Sequence, residues 1–384
     1  MNKTKKKIAY ITGTRADFGL MTPILRAINN SDKLNLHIYV TGMHLLPEFG
    51  KTINQIKKEF RKITKIEATF RTDDRAGMVN FCSVFLSKLN RAFINNSPDF
   101  VLILGDRPEM LCTTMVCLYL GIPVGHIQGG DKTFTVDEVA RHAITKLSHF
   151  HFPATKLSAR RIKKMGEEDW RICVVGAPAL DVILGEKLPN RKTLFKYLKI
   201  NPEQKIILLT QHPVSEEWQK AGKQVKETIA AIKEFNLPVV AIYPNADAGG
   251  RRIIREFKEE KNNPLFHFFP NLEYKQFLAL ERETAVWVGN SSAAMVESSS
   301  FKTPVVNVGI RQIGRQHGNN VINVGYNKKE IYSAIHKSLF DKTYLSRLKK
   351  VVNPWGDGKT GPRVAKILEE LEINSKLLNK QITY

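Results

Sequence analysis

The sequence of 384 residues predicts an α/β protein made of two parallel-sheet domains that face a crevice. Three observations carry this reading. Short apolar runs such as Val101–Leu104 and Ile122–Ile127 close in polar loops, Gly105-Asp106-Arg107 and Gln128-Gly129-Gly130-Asp131. Runs this short and this apolar are strands buried on both faces, as in a parallel sheet. Such strands alternate with helical stretches in two series. Residues 177–204 interrupt the alternation with prolines and charges, and the chain is too long for one ordinary core. The expected domains are therefore 1–180 and 181–384, with the final helix free to pack on either.

In order, Ile8–Thr12 is a first strand, and GTRADFGL turns it into a helix. Leu36–Thr41 is the next strand, followed by a helical stretch to Phe60, and Ala68–Phe70 is a further short strand. A helix from Gly77 to Asn95 stops at Asn-Asn-Ser-Pro. After the central strands come a helix opening at Val136, a strand at Phe150–Pro153, a basic helix to Met165 and a strand at Arg171–Gly176. The second series begins with Lys205–Gln211 and continues with strands at Val239–Tyr243, Leu265–Phe269, Ala285–Val288 and Val305–Val308. The last helix spans Gly361–Leu378.

Composition narrows the function classes. Apolar content of 42% and charged content of 25% are those of a globular chain. The net charge of +22 invites a nucleic-acid reading, but the lysines (Lys57, Lys58, Lys163, Lys164, Lys258, Lys261) are scattered rather than gathered with aromatics. A solvated basic surface that attracts an anionic substrate fits better. The start MNKTKKK is basic, yet Ile8–Thr12 is too short for a signal-peptide core, and no apolar run approaches a membrane span. Cys82, Cys112, Cys117 and Cys173 lack CxxC spacing and read as reduced, buried thiols of a cytoplasmic protein. No metal cluster and no cofactor are expected.

In an open α/β sheet, ligands bind beyond the carboxyl ends of the strands, so the residues there are the candidates. Arg15 opens the first helix, where it is either an anion contact or a surface residue. Asp106 and Arg107 follow one central strand, and Gln128 and Asp131 follow the other. Thr135-Val136-Asp137-Glu138 fits a capping box, which gives Glu138 a structural task. Asp137 and Arg141 are four apart, so they form an ion pair, or Arg141 holds Asp137 ionised as a base. His142 stands beside them. In the second domain His212 ends the first strand, suited to contact or protonate a phosphate. Ser291 and Ser292 open a helix as N-caps or as a phosphate cradle. Glu297 suits a sugar diol or is an ordinary helix carboxylate, and Phe277 stacks on a base or belongs to the core. Arg311, Gln312 and Arg315 add anion-binding capacity.

These residues lie in an ordered set of motifs: GTRADFGL, GDRPE, HIQGGD, VDEVARHAITKLSHFHF, TQHPV, PNADAGG, GNSSAAMVES, NVGIRQIGRQ and NPWGDGKTG. The set resembles the UDP-N-acetylglucosamine 2-epimerase family over nearly the whole chain, and GTRADFG resembles its UDP-hydrolysing, sialic-acid-type branch. The resemblance implies two Rossmann-like domains of the glycosyltransferase-B type, a UDP-sugar substrate, and a homodimer or homotetramer. It implies loss of the C2 proton and of UDP to give a 2-acetamidoglucal, then hydration to free N-acetylmannosamine. By motif, Asp106 and Asp137 match catalytic acids and His212 the histidine at the diphosphate. Arg15, Ser291, Ser292, Glu297 and Phe277 match UDP contacts, with Arg107, Arg141, His142 and Arg311 in support.

One departure bears on the substrate. Where the branch carries a catalytic glutamate this chain has Gln128, which takes no proton. Either Asp106 and Asp137 suffice, or Asp131 takes part, or the substrate is a UDP-2,4-diacetamido-trideoxyhexose. A non-hydrolysing epimerase is the other enzyme reading.

Overall fold

The structure, a computed structural model, describes residues 5–70, 72 and 74–384. Met1–Thr4 of the basic start lie outside them. Two six-stranded, wholly parallel sheets organise the chain. The first contains β1 (Lys6–Thr12), β2 (Leu34–Val40), β3 (Ile63–Lys65), β4 (Phe100–Leu104), β5 (Val124–Ile127) and β6 (Phe150–Phe152), in the order β3-β2-β1-β4-β5-β6. The second contains β7 (Ile207–Thr210), β8 (Val239–Ile242), β9 (Phe266–Phe269), β10 (Val286–Gly289), β11 (Val305–Val308) and β12 (Val321–Val324), in the order β12-β11-β10-β7-β8-β9. The central strands β4 and β10 are buried at every residue, because helices cover both faces of each sheet and leave no polar side. Strand order reverses between β1 and β4, and again between β7 and β10. Those two reversals open the crevices in which side chains from adjacent loops converge.

The edges depart from the sequence reading. The outer strand of the first sheet is Ile63–Lys65, not Ala68–Phe70. The Ala68 carbonyl instead accepts from Gly42 N (3.0 Å) and Thr41 Oγ1 (3.2 Å), so it fastens a loop. Arg171–Gly176 runs beside β6 but forms a bridge only at Ile172. β12 was not anticipated, since its residues are half-buried or exposed and it lacks the continuous apolar run of an inner strand. Residues 177–204 are not bare linker. They hold helices Ala179–Gly185 and Arg191–Leu198, the second capped by Asn190 and burying Leu194, Phe195 and Leu198 against the second sheet. Of the four thiols, Cys112 and Cys117 are buried, whereas Cys82 and Cys173 are only half-buried. No helix among the described residues is long and apolar enough to cross a membrane, and no group of potential metal ligands occurs among them.

The predicted last helix is two, Thr360–Glu370 and Ser375–Leu378. The longer one crosses to the first domain, where Val364, Ala365 and Leu368 share a core with Ile24, Leu25 and Ile28. The buried Arg171 guanidinium then holds the tail, donating to the carbonyls of Lys376 (2.8 Å), Leu377 (2.8 Å) and Asn379 (3.3 Å) and to that of His149 (3.0 Å). Truncation would leave several buried acceptors without donors, each costing about 1–3 kcal/mol. Arg171→Ala is therefore expected to lower unfolding stability by about 3 kcal/mol in urea titrations. It should also open the segment after Asn374 to proteases.

Candidate active site

At the first reversal, Thr14 caps helix Arg15–Asn29 and Asp17 closes the reciprocal capping box. Gly13 is required by close approach, since a Cβ there would stand 2.2 Å from Glu109 Oε1. This tight turn places Arg15 at the helix start, with its Nε and Nη1 buried and without a partner. Burial lowers the Arg15 pKa to about 10, so the guanidinium remains a cation in need of an anion.

Across the reversal, Asp106 ends β4 against the Arg141 guanidinium. Arg141 is almost fully buried and also donates to the Asp131 carbonyl (2.9 Å) and Thr133 Oγ1 (3.2 Å). Burial alone would raise the Asp106 pKa, but Arg141, Arg315 and Arg311 outweigh it and hold the carboxylate below its ordinary range. Arg107 turns away from Asp106, to Glu109 (3.2 Å) and, across the crevice, Asp247 (3.3 Å). Gln128 follows β5 in the left-handed region, at φ 60°. For a residue with a Cβ that conformation costs about 1–3 kcal/mol, and such strain gathers at functional sites. Asp131 has both oxygens occupied, by Ser158 Oγ (2.7 Å) and Arg315 (3.1 Å).

Helix Val136–Leu147 corrects two expectations. Thr135 caps it through Asp137 N, while Glu138 accepts from Thr133 N (2.6 Å), so no reciprocal capping box forms. Arg141 is taken by Asp106, and Asp137 faces Arg311 of the second domain at 3.5 Å instead. The two residues are four apart, but Arg141 is buried beneath the helix while Asp137 looks into the crevice. Burial and the nearby Asp106 raise the Asp137 pKa to about 6, against the pull of Arg311. His142 lies off the cavity, paired with Glu138 at 3.5 Å.

The second reversal is bound together by Asn290, whose side-chain amide accepts from His212 N (2.7 Å) and donates to the His212 carbonyl (2.9 Å). The His212 Nδ1 accepts from Asn245 N (3.2 Å), which leaves its proton on Nε2. Burial, then Arg311 and Arg107, push the imidazole pKa well down, so it is a neutral donor. Ser291 is the N-cap of Ser292–Val296, accepting from Ala293 N (3.3 Å). Glu297 accepts from Tyr274 Oη (3.1 Å), and Phe277 stands edge-on to Trp287.

One cavity in the crevice brings most of these together: Arg15 and Gln128 from the first domain, His212, Phe277, Ser291, Ser292, Glu297, Arg311 and Arg315 from the second. The acids adjoin it through arginines, Asp137 on Arg311 and Asp131 on Arg315. A cationic floor that suits a polyphosphate thus lies beside Asp137, whose proton affinity is raised, and Asp106, whose affinity is lowered, the condition for acid–base chemistry. Sequence reasoning passed over Asn245, Asp247, Tyr274 and Asn290 as site residues. The end of β8 was the available signal for Asn245 and Asp247, which follow that strand within PNADAGG.

The sequence profile described as UDP-N-acetylglucosamine 2-epimerase matches residues 26–369. A Legionella pneumophila protein named UDP-N,N'-diacetylbacillosamine 2-epimerase (hydrolyzing) is 37% identical over 99% of this chain and 100% of its own. A Neisseria meningitidis UDP-N-acetylglucosamine 2-epimerase is 34% identical over 87% of each chain. The fold matches the crystal structure of Methanocaldococcus jannaschii UDP-GlcNAc 2-epimerase in complex with UDP-GlcNAc and UDP. That match has a TM-score of 0.77 at 21% identity and covers 95% of this chain and 99% of the other. With the profile spanning most of the chain and relatives above one-third identity along its length, the protein belongs to the UDP-N-acetylglucosamine 2-epimerase family.

Proposed function

We propose that the protein is a hydrolysing UDP-sugar 2-epimerase that converts UDP-N-acetylglucosamine and water to N-acetylmannosamine and UDP. The observation that carries this is the pair of crevice acids with separated proton affinities, Asp106 kept ionised and Asp137 titrating near 6, beside a cavity lined by arginines. In this reading Arg15, Arg311 and Arg315 neutralise the diphosphate, and the His212 Nε2–H donates to it as the C1–O bond breaks. Asp137 takes the C2 proton, so the electron pair of the C2–H bond becomes the C1–C2 double bond and UDP departs. Water then divides across the double bond: its hydroxyl joins C1, and its proton passes to the ionised Asp106, which delivers a proton to C2 from the opposite face. Gln128 orients that water, and Asp131 holds Arg315 rather than moving a proton.

The acid that accepts the C2 proton must first be ionised. With Asp137 titrating near 6, kcat/KM is expected to rise about tenfold per pH unit below that value and to level above it. A flat profile through that range would remove Asp137 as the base. Product analysis tests the reading itself: anion-exchange chromatography should find free UDP in step with N-acetylmannosamine. A nucleotide-linked mannosamine as the only product would make the enzyme non-hydrolysing.

The name and full-length match of the Legionella relative favour a second substrate reading, the same chemistry on a UDP-2,4-diacetamido-trideoxyhexose. Parallel assays of kcat/KM on the two UDP-sugars separate the readings.

A further inference from the structure

Behind Glu297 lies a second carboxyl that the reaction described above does not use. Glu281 is fully buried, on the same helix as Tyr274 and two turns further along. Neither of its oxygens meets a donor group of the protein, and the same is true of Glu297 Oε2. The two carboxyls are within hydrogen-bonding reach of each other. A pair of carboxylates in such surroundings cannot both be ionised, and sharing one proton satisfies the otherwise orphaned oxygens. Burial and Glu297 push the Glu281 pKa well up, while Glu297, with its wall on the cavity, is raised only to about 6. Glu297 already accepts from Tyr274 and lines the cavity, whereas Glu281 is offered no donor on either oxygen, so the proton belongs to Glu281.

Glu297 is held from the other side as well. Tyr274 donates to its Oε1 at 3.1 Å. The Tyr274 ring is itself packed on the first domain, where a Cβ at Gly19 would come within 2.8 Å of it. A carboxylate that accepts one hydrogen bond on each oxygen from fixed donors retains its remaining lone pairs in a fixed plane. That plane suits a vicinal diol, in which two adjacent hydroxyls donate side by side.

We propose that Glu281 is a positioning residue for the nucleotide: as a neutral acid it donates to Glu297, which with Tyr274 orients Glu297 to grip the ribose diol of UDP. This rests on the reading that UDP is the bound nucleotide. The role needs a donor at position 281, not a charge, so glutamine can replace it and leucine cannot.

Isothermal titration of UDP and of 2'-deoxy-UDP into wild type, Glu281→Gln and Glu281→Leu tests it. Wild type should prefer UDP over the deoxy analogue. Glu281→Gln should keep that preference, whereas Glu281→Leu should weaken UDP about tenfold and bind the two nearly alike. A general packing defect would weaken both nucleotides equally and leave the ratio in place. Equal preference in wild type and Glu281→Leu, or Glu281→Gln as impaired as Glu281→Leu, would overturn the inference. Failure of wild type to bind UDP at all would instead overturn the functional reading.

Infrared difference spectroscopy gives an answer that does not depend on the leucine variant folding. At about pH 8, above the ordinary carboxylate range, wild type should show the carbonyl stretch of a protonated carboxylic acid that Glu281→Gln lacks. Its absence from wild type would contradict the neutral Glu281.

Discussion

Asp137→Asn is expected to lower kcat by about a thousandfold, the scale of a positioned general base, while UDP affinity changes little. Asparagine keeps the shape of the side chain and its place at the start of helix Val136–Leu147, but its amide cannot accept the C2 proton. The neighbour most affected is Arg311, which loses a carboxylate at 3.5 Å. That loss leaves Arg311 freer for the diphosphate, so UDP should bind as tightly as before or somewhat more so. Single-turnover assays with calorimetric UDP binding separate the two effects. A variant with wild-type turnover would exclude Asp137 from the chemistry, and one that lost UDP binding in proportion would make it a binding residue.

Arg141→Met is expected to cost both stability and activity. Arg141 is 1% exposed and joins the Asp106 carboxylate to the Asp131 carbonyl and Thr133. Methionine fills part of the volume but leaves those acceptors without a donor and Asp106 without its main counter-ion. Breaking a buried pair from one side costs about 3–5 kcal/mol. Asp106 still reaches the crevice, with a side-chain exposure of 23%, so the lower end, about 3 kcal/mol, is expected. Asp106 should also titrate higher, which would cost activity near neutral pH. The double variant Asp106→Asn/Arg141→Met should recover part of the lost stability, because no unpaired carboxylate remains. Equilibrium unfolding of the two single variants and the double variant measures the coupling, and additive losses would argue that the pair contributes nothing of its own.

The sheets were legible because burial on both faces writes itself into sequence as unbroken apolar runs. β4 and β5 are visible for that reason, and the loops after them carry Asp106 and Gln128. The edge strands β3 and β12 were not legible, since a half-exposed strand keeps polar residues and loses the run. Side-chain partnership was harder. Spacing along the helix suggested Asp137 for Arg141, but the true partner, Asp106, is 35 positions away and reaches it only because β4 and the helix meet at the strand end. Asp137 in turn meets an arginine of the other domain. Ion pairs across a crevice leave no periodic trace. Glu281 was hidden for a similar reason: a glutamate in a helix reads as surface until the packing of neighbouring helices buries it.

The most direct test of the central claim is incubation with UDP-N-acetylglucosamine in deuterium oxide, followed by proton NMR. Elimination through Asp137 followed by hydration predicts free UDP and N-acetylmannosamine in equal amounts, with deuterium at C2. Product that retains its original C2 proton would contradict the proton transfer, and UDP-N-acetylmannosamine with no free UDP would contradict the hydrolysis.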